Sequence, residues 1–202
     1  MVKGLKVGDK TPPFLLKDHE DYNVTNDDII GTTVVLYFYP KDDTPGCTEQ
    51  ACSFRDQTEN FDKRQTLVVG VSPDSVESHN KFIKKNKLEF SLLSDEKKEL
   101  SRIFGALDEK NNIIRSTFII NSQGEICWME KPVNVKGHAE RVIKALDEHC
   151  KKDIMAFDDV EASYTEFLHA NLKMNQDQKK IEDDILKKFG IKKTPPESKS
   201  DE

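Results

Sequence analysis

Cys47 and Cys52, five residues apart, stand in the run Tyr-Phe-Tyr-Pro-Lys-Asp-Asp-Thr-Pro-Gly-Cys-Thr-Glu-Gln-Ala-Cys over residues 37–52. The residues ahead of Cys47 read as a loop entering a helix. Thr44 is a good N-cap, Pro45 suits the first helical position, and Cys47 falls at the third. A thiol there meets unpaired backbone N–H groups and the positive end of the helix dipole, and both favour thiolate over thiol. The thiolate is the nucleophilic form. The second thiol lies on the same helix. Residues i and i+5 of an α-helix differ by about 140° in rotation and about 7.5 Å in rise, which sets their Cα atoms roughly 8.6 Å apart. A disulfide needs about 7 Å or less. The pair cannot bond until at least one turn unwinds. This suits a cysteine that is oxidised by a small substrate and then rescued by its neighbour, the chemistry of peroxide reduction. The Thr44 hydroxyl is placed to donate to the thiolate or to orient a peroxide oxygen. The plainer alternative for Cys47 is a small apolar residue near a strand end.

The thiols must be carried by a strand and a helix. Residues 33–39, Thr-Val-Val-Leu-Tyr-Phe-Tyr, are β-branched and aromatic without alternation, which predicts a central strand buried on both faces. Pro40 ends it, and the Cys47 helix runs to about residue 61. Before this strand, residues 14–30 read as an extended segment and a short helix. After it come a strand at 67–71 and a helix at 76–86. A short strand near 91–93 and a helix at 97–104 follow. A hairpin at 117–120 and 125–129 leads to a helix at 139–149. This order of βαβ units followed by a hairpin is the thioredoxin-like α/β architecture, a central mixed sheet flanked by helices.

The residues also match a family. Pro40, Thr44 and Cys47 reproduce the Pro-x-x-x-Thr-x-x-Cys signature of peroxiredoxins. Residues 46–52, with Phe54, Arg55 and Asp56 following, resemble the bacterioferritin-comigratory or Q-type subfamily. The resemblance extends over roughly residues 4–149 and includes 7–10 with Pro13 and Phe14, 70–75, 90–95 and 115–120. It implies roles. Cys47 is the peroxidatic cysteine that becomes a sulfenic acid, and Cys52 resolves it as an intramolecular disulfide. Thr44 and Arg115 hydrogen-bond the peroxide and the thiolate and stabilise charge on the departing oxygen. Pro40 shields the thiolate from water. A thioredoxin-type protein reduces the disulfide, and no metal or organic cofactor is implied. Arg115 carries an argument of its own. Only five of the 31 basic residues are arginines, so an arginine opening a Ser-Thr-Phe-Ile-Ile strand points to a use for its planar fork of donors. A solvent-facing charge at a strand end is the alternative. Arg55 reads either as a surface charge or as a structural ion pair near Asp56.

At 202 residues with a net charge of −6, the chain is long enough for one packed domain and an appendage, and charge gives it no overall drive toward nucleic acid or anionic membrane. It carries no apolar run near the length of a membrane span and no secretory leader pattern, so a cytoplasmic protein is expected. Four cysteines in such a chain argue for redox chemistry over a disulfide scaffold. The five histidines form no metal-like cluster, and the adjacent His149 and Cys150 are a poor site. Cys127 reads as a packed strand residue. Cys150, after the last helix, is expected to be exposed and is an alternative redox thiol.

The expected organisation is a peroxiredoxin domain over 1–150, a helical extension over 151–190 and a disordered tail over 191–202. Tyr164, Phe167, Leu168 and Leu172, then Ile181, Ile185 and Phe189, fall at helical spacing. These faces suit docking on the domain, a partner protein, or a second copy of an otherwise monomeric chain. Lys187, Lys188, Lys192 and Lys193 leave nuclear residence open. With 10 Lys against 12 acidic residues over 151–202, the segment is not a basic arm for nucleic acid. A redox sensor, in which unwinding of the Cys47 helix is read by a partner, is the second functional reading. A general disulfide reductase is disfavoured by the five-residue spacing.

Overall fold

The computed structural model describes residues 4–150, which belong to one compact unit, Met1–Ile154. The extension, the tail and the lysine cluster of the sequence analysis lie outside the described residues. The elements in chain order are β1 (Leu15–Asp18), β2 (Asn23–Thr25), β3 (Thr33–Phe38), α1 (Pro45–Arg55), α2 (Thr58–Asp62) and β4 (Thr66–Ser72). Then come α3 (Val76–Asn86), β5 (Ser91–Ser94), α4 (Glu99–Ile103), β6 (Ser116–Ile120), β7 (Ile126–Glu130) and α5 (His138–His149). The strands form one mixed sheet in the order β2-β1-β5-β4-β3-β6-β7. β3 pairs parallel with β4 and antiparallel with β6. This is the thioredoxin-like arrangement.

Every residue of β3 is buried, as its unbroken apolar run predicts. Its alternate side chains feed two cores. Val35, Tyr37 and Tyr39 pack with Cys47, Ala51 and Phe54 of α1, with Phe61, and with Val142 and Leu146 of α5. Val34, Leu36 and Phe38 pack on the other face with Leu100, Phe104 and Phe118. Burying a side chain of this size is worth about 1.5–3 kcal/mol relative to exposure, so α1 is held chiefly by Phe54. Its ring lies 4.9 Å from Tyr37 and 5.8 Å from Phe61, centroid to centroid.

Three expectations are corrected. Residues 14–30 contain a two-stranded hairpin and turns where a short helix was expected, because the Asp18 carboxylate accepts the Glu20 and Tyr22 N–H groups and bends the chain back. The helix carrying Cys47 stops at Arg55 instead of continuing to residue 61. There the Thr58 hydroxyl bonds the Arg55 carbonyl and α2 starts as a separate turn. The expected helix at 97–104 shrinks to Glu99–Ile103, since Asp95 accepts the N–H groups of Glu99, Leu100 and Ser101 and Lys98 is left-handed.

Candidate active site

Cys47 sits just beyond the carboxyl end of β3, at the third position of α1. Thr44 holds the N-cap position and Pro45 is the first helical residue, as read from the sequence, but the Thr44 side chain makes no capping bond and its hydroxyl is turned to the Lys41 carbonyl instead of to Cys47. The thiol is almost fully buried, at 1% exposure. Cys47 and Cys52 are both thiols and both lie within intact α1, so the helical spacing that forbids their bond holds in this state. Cys52 is half-buried.

Arg115 immediately precedes β6. Ile119 faces the core that holds α1, while Phe118 and Ile120 face the other. By strand alternation Arg115 lies on the α1 side. Its Nη2 donates to Cys47 Sγ at 3.2 Å, and its Nη1 donates to the side-chain carbonyl oxygen of Gln50. One planar guanidinium therefore bridges two groups one helical turn apart. Gln50 is fully buried, and its amide nitrogen lies 3.1 Å from His138 Nδ1 at the first turn of α5. Neither Gln50 nor His138 is among the site residues expected from the sequence. Gln50 had a signal: it falls three residues after Cys47, on the same helix face. His138 is far along the chain from Cys47, and only the packing of α5 on α1 brings it in.

The loop between β3 and α1 is anchored from below. Asp42 is buried and accepts from the Tyr39 hydroxyl at 2.7 Å and the Ser78 hydroxyl at 2.7 Å, with His79 Nδ1 at 2.9 Å. Its own N–H donates to Asp74 at 2.9 Å. Burial alone would raise the Asp42 carboxyl, but the bonds from His79, Tyr39 and Ser78 outweigh it and hold the pKa below the usual range. Thr44 rides on this loop, and its hydroxyl donates to the Lys41 carbonyl at 3.1 Å. Pro40 is exposed at the strand end. Arg55 is a structural tie: it pairs with Asp56 and donates from Nη1 to the Asn86 carbonyl at 2.6 Å.

The other two cysteines lie elsewhere. Cys127 is a packed strand residue, as expected, with Sγ 3.4 Å from the Ile119 carbonyl. Cys150 is buried at 8% exposure, correcting the expectation of an exposed thiol: the turn after α5 folds it against Leu146 and the core.

The model of the AhpC/TSA family matches residues 7–129. The chain belongs to this family. It is a peroxiredoxin of the Bcp/PrxQ type, and a peroxidase. A putative Bcp peroxiredoxin of Helicobacter pylori J99 is 43% identical over 151 residues, covering 70% of this chain and 98% of the relative. The Bacillus subtilis peroxiredoxin Bcp is 39% identical, covering 73% and 99%. Among solved structures, Xanthomonas campestris peroxiredoxin Q aligns with a TM-score of 0.66 at 38% identity, over 67% of this chain and 90% of that one. A Xylella fastidiosa PrxQ mutant aligns with 0.70 at 34% identity, over 73% and 99%. Among the described residues of the peroxiredoxin, no helix is long and apolar enough to cross a membrane.

Proposed function

We propose that the peroxiredoxin reduces hydrogen peroxide and small organic hydroperoxides by a two-cysteine cycle. The reading is carried by one observation: the Arg115 guanidinium 3.2 Å from a thiol at the N-terminus of a helix. The Cys47 thiolate attacks one peroxide oxygen. The O–O bond breaks, Cys47 becomes a sulfenic acid, and the leaving oxygen takes a proton and departs as water or an alcohol. Arg115 stabilises charge first on sulfur and then on the departing oxygen. The Thr44 hydroxyl, whose proton goes to the Lys41 carbonyl, keeps its oxygen as an acceptor for the peroxide O–H. Pro40 shields the thiolate at the mouth of the loop.

The first turns of α1 then unwind. The Cys52 thiol attacks the sulfenic sulfur, a disulfide forms and water leaves. A thioredoxin-type dithiol reduces that disulfide by exchange and is itself oxidised. The Xanthomonas campestris bacterioferritin comigratory protein, solved as trapped intermediate and ligand complexes, has alkyl peroxide reduction activity, which supports organic hydroperoxides as substrates here. A cytoplasmic site of action fits a cycle that draws on a dithiol pool. The relatives named above lend no support to a nuclear one.

Peptide mapping after one equivalent of hydrogen peroxide tests the cycle. Wild type is expected to lose two hydrogens and yield a linked Cys47–Cys52 peptide, and Cys52→Ser to hold a Cys47 sulfenic acid. Turnover surviving in Cys47→Ser would sink the assignment. A persistent sulfenic acid in wild type would move Cys52 out of its role and favour the sensor reading.

A further inference from the structure

The Gln50 amide has its orientation dictated by its neighbours. Arginine carries only donors, so the Gln50 atom facing Arg115 Nη1 is the carbonyl oxygen. The amide nitrogen, a donor only, then faces His138 Nδ1 at 3.1 Å. That ring nitrogen must accept, so His138 is the neutral imidazole with its proton on Nε2. Gln50 and His138 are both fully buried. The His138 ring also stands edge-on to Phe54 of α1, with centroids 5.1 Å apart. Burial, opposed by the Glu130 charge and reinforced by Arg141 and Arg115, lowers its pKa to about 4, which keeps the acceptor unprotonated through the neutral range.

We propose that His138 is a positioning residue for Cys47, acting through Gln50 and Arg115. Its Nδ1 lone pair fixes the Gln50 amide, the amide carbonyl fixes one arm of the guanidinium, and the other arm is thereby held on the thiol. His138 touches neither substrate nor sulfur, and it works only as a neutral acceptor. An imidazolium would set two donors face to face and turn the Gln50 amide away from Arg115. The inference rests on Cys47 being the reacting thiol.

The test follows alkylation of the Cys47 peptide by iodoacetamide against pH, alongside single-turnover oxidation by hydrogen peroxide, in the full chain. His138→Leu is expected to raise the pH midpoint of Cys47 alkylation by about one unit and to slow oxidation about tenfold. His138→Asn, whose side-chain oxygen replaces the ring acceptor, is expected to return both to within about twofold of wild type. Adding His138→Leu to Gln50→Leu should cost nothing beyond Gln50→Leu alone, since the two act as one chain. An unchanged midpoint and rate in His138→Leu, or an asparagine variant no better than the leucine one, would overturn the proposal. Should His138→Leu not fold, nitrogen NMR of His138 in the wild type decides. The Nε2–H tautomer near pH 6 is required, and an Nδ1–H or doubly protonated ring refutes it. Alkylation needs no peroxide, so a Cys47 that responds to His138 yet turns over no peroxide would fail the functional reading alone.

Discussion

Arg115 makes two bonds that one lysine ammonium cannot hold in the same plane. It donates to Cys47 Sγ at 3.2 Å and to the Gln50 carbonyl with the other arm of a rigid fork. Arg115→Lys keeps the charge but loses the fork, so the rate of reaction with hydrogen peroxide should fall roughly 100-fold. Competition kinetics against a second peroxidase would read this, and a loss within a few-fold would mean that charge alone is enough. At this scale much was legible. Cys47 and Thr44 were marked by residue type and by position relative to a strand and a helix start, whereas Arg115 was separated from a solvent-facing strand-end charge only by the family resemblance. Gln50 was within reach of the same logic, one turn from the thiol. His138 was not, because nothing near it in the chain speaks of Cys47.

The element that has to change is α1. A Cys47–Cys52 bond requires it to unwind, so whatever ties its far end slows resolution. Arg55 is such a tie, joining the last turn of α1 to the end of α3 through the Asn86 carbonyl at 2.6 Å. Its side chain is 30% exposed, so the bond is partly screened and worth about 0.5–1 kcal/mol. Arg55→Ala should therefore speed disulfide formation roughly two- to fivefold and make the enzyme more resistant to overoxidation. Stopped-flow measurement of the second phase after peroxide addition checks this. An unchanged rate would place the limiting step elsewhere than in helix opening.

At the scale of the whole molecule, His138 couples the site to acid stability. Its pKa is about 4 in the fold and about 6.5 in an unfolded chain. The unfolded chain therefore takes up the proton first. The stability that the neutral ring confers is complete above pH 6.5 and is lost as pH falls toward 4, about 2 kcal/mol of it by pH 5. Calorimetry should show Tm falling by about 4–8 °C from this source between pH 7.5 and 5. His138→Asn should flatten that part of the curve. A wild-type Tm that stays level over this range would contradict the burial argument. Asp42, whose carboxyl is held low by its hydrogen bonds, adds a second loss that begins in the ordinary carboxylate range and continues below it.

The central strand and the start of α1 follow from local chemistry. An unbroken apolar run makes β3 a central strand. Thr44 and Pro45 start α1 one turn ahead of the thiol, and the i+5 spacing forbids the disulfide in an intact helix. These depend on neighbours a few residues apart, which sequence carries directly. The hairpin at β1 and β2, the break at Asp56 and the short α4 depended on single side chains turning back onto the backbone, and such bonds compete closely with helix continuation. The burial of Cys150 and the link from His138 through Gln50 and Arg115 to Cys47 were decided only when α5 packed against α1 and β7 and the start of β6 met α1. Contacts between residues 65 to 88 positions apart obey the geometry of the packed layers, and no periodicity in the chain records them.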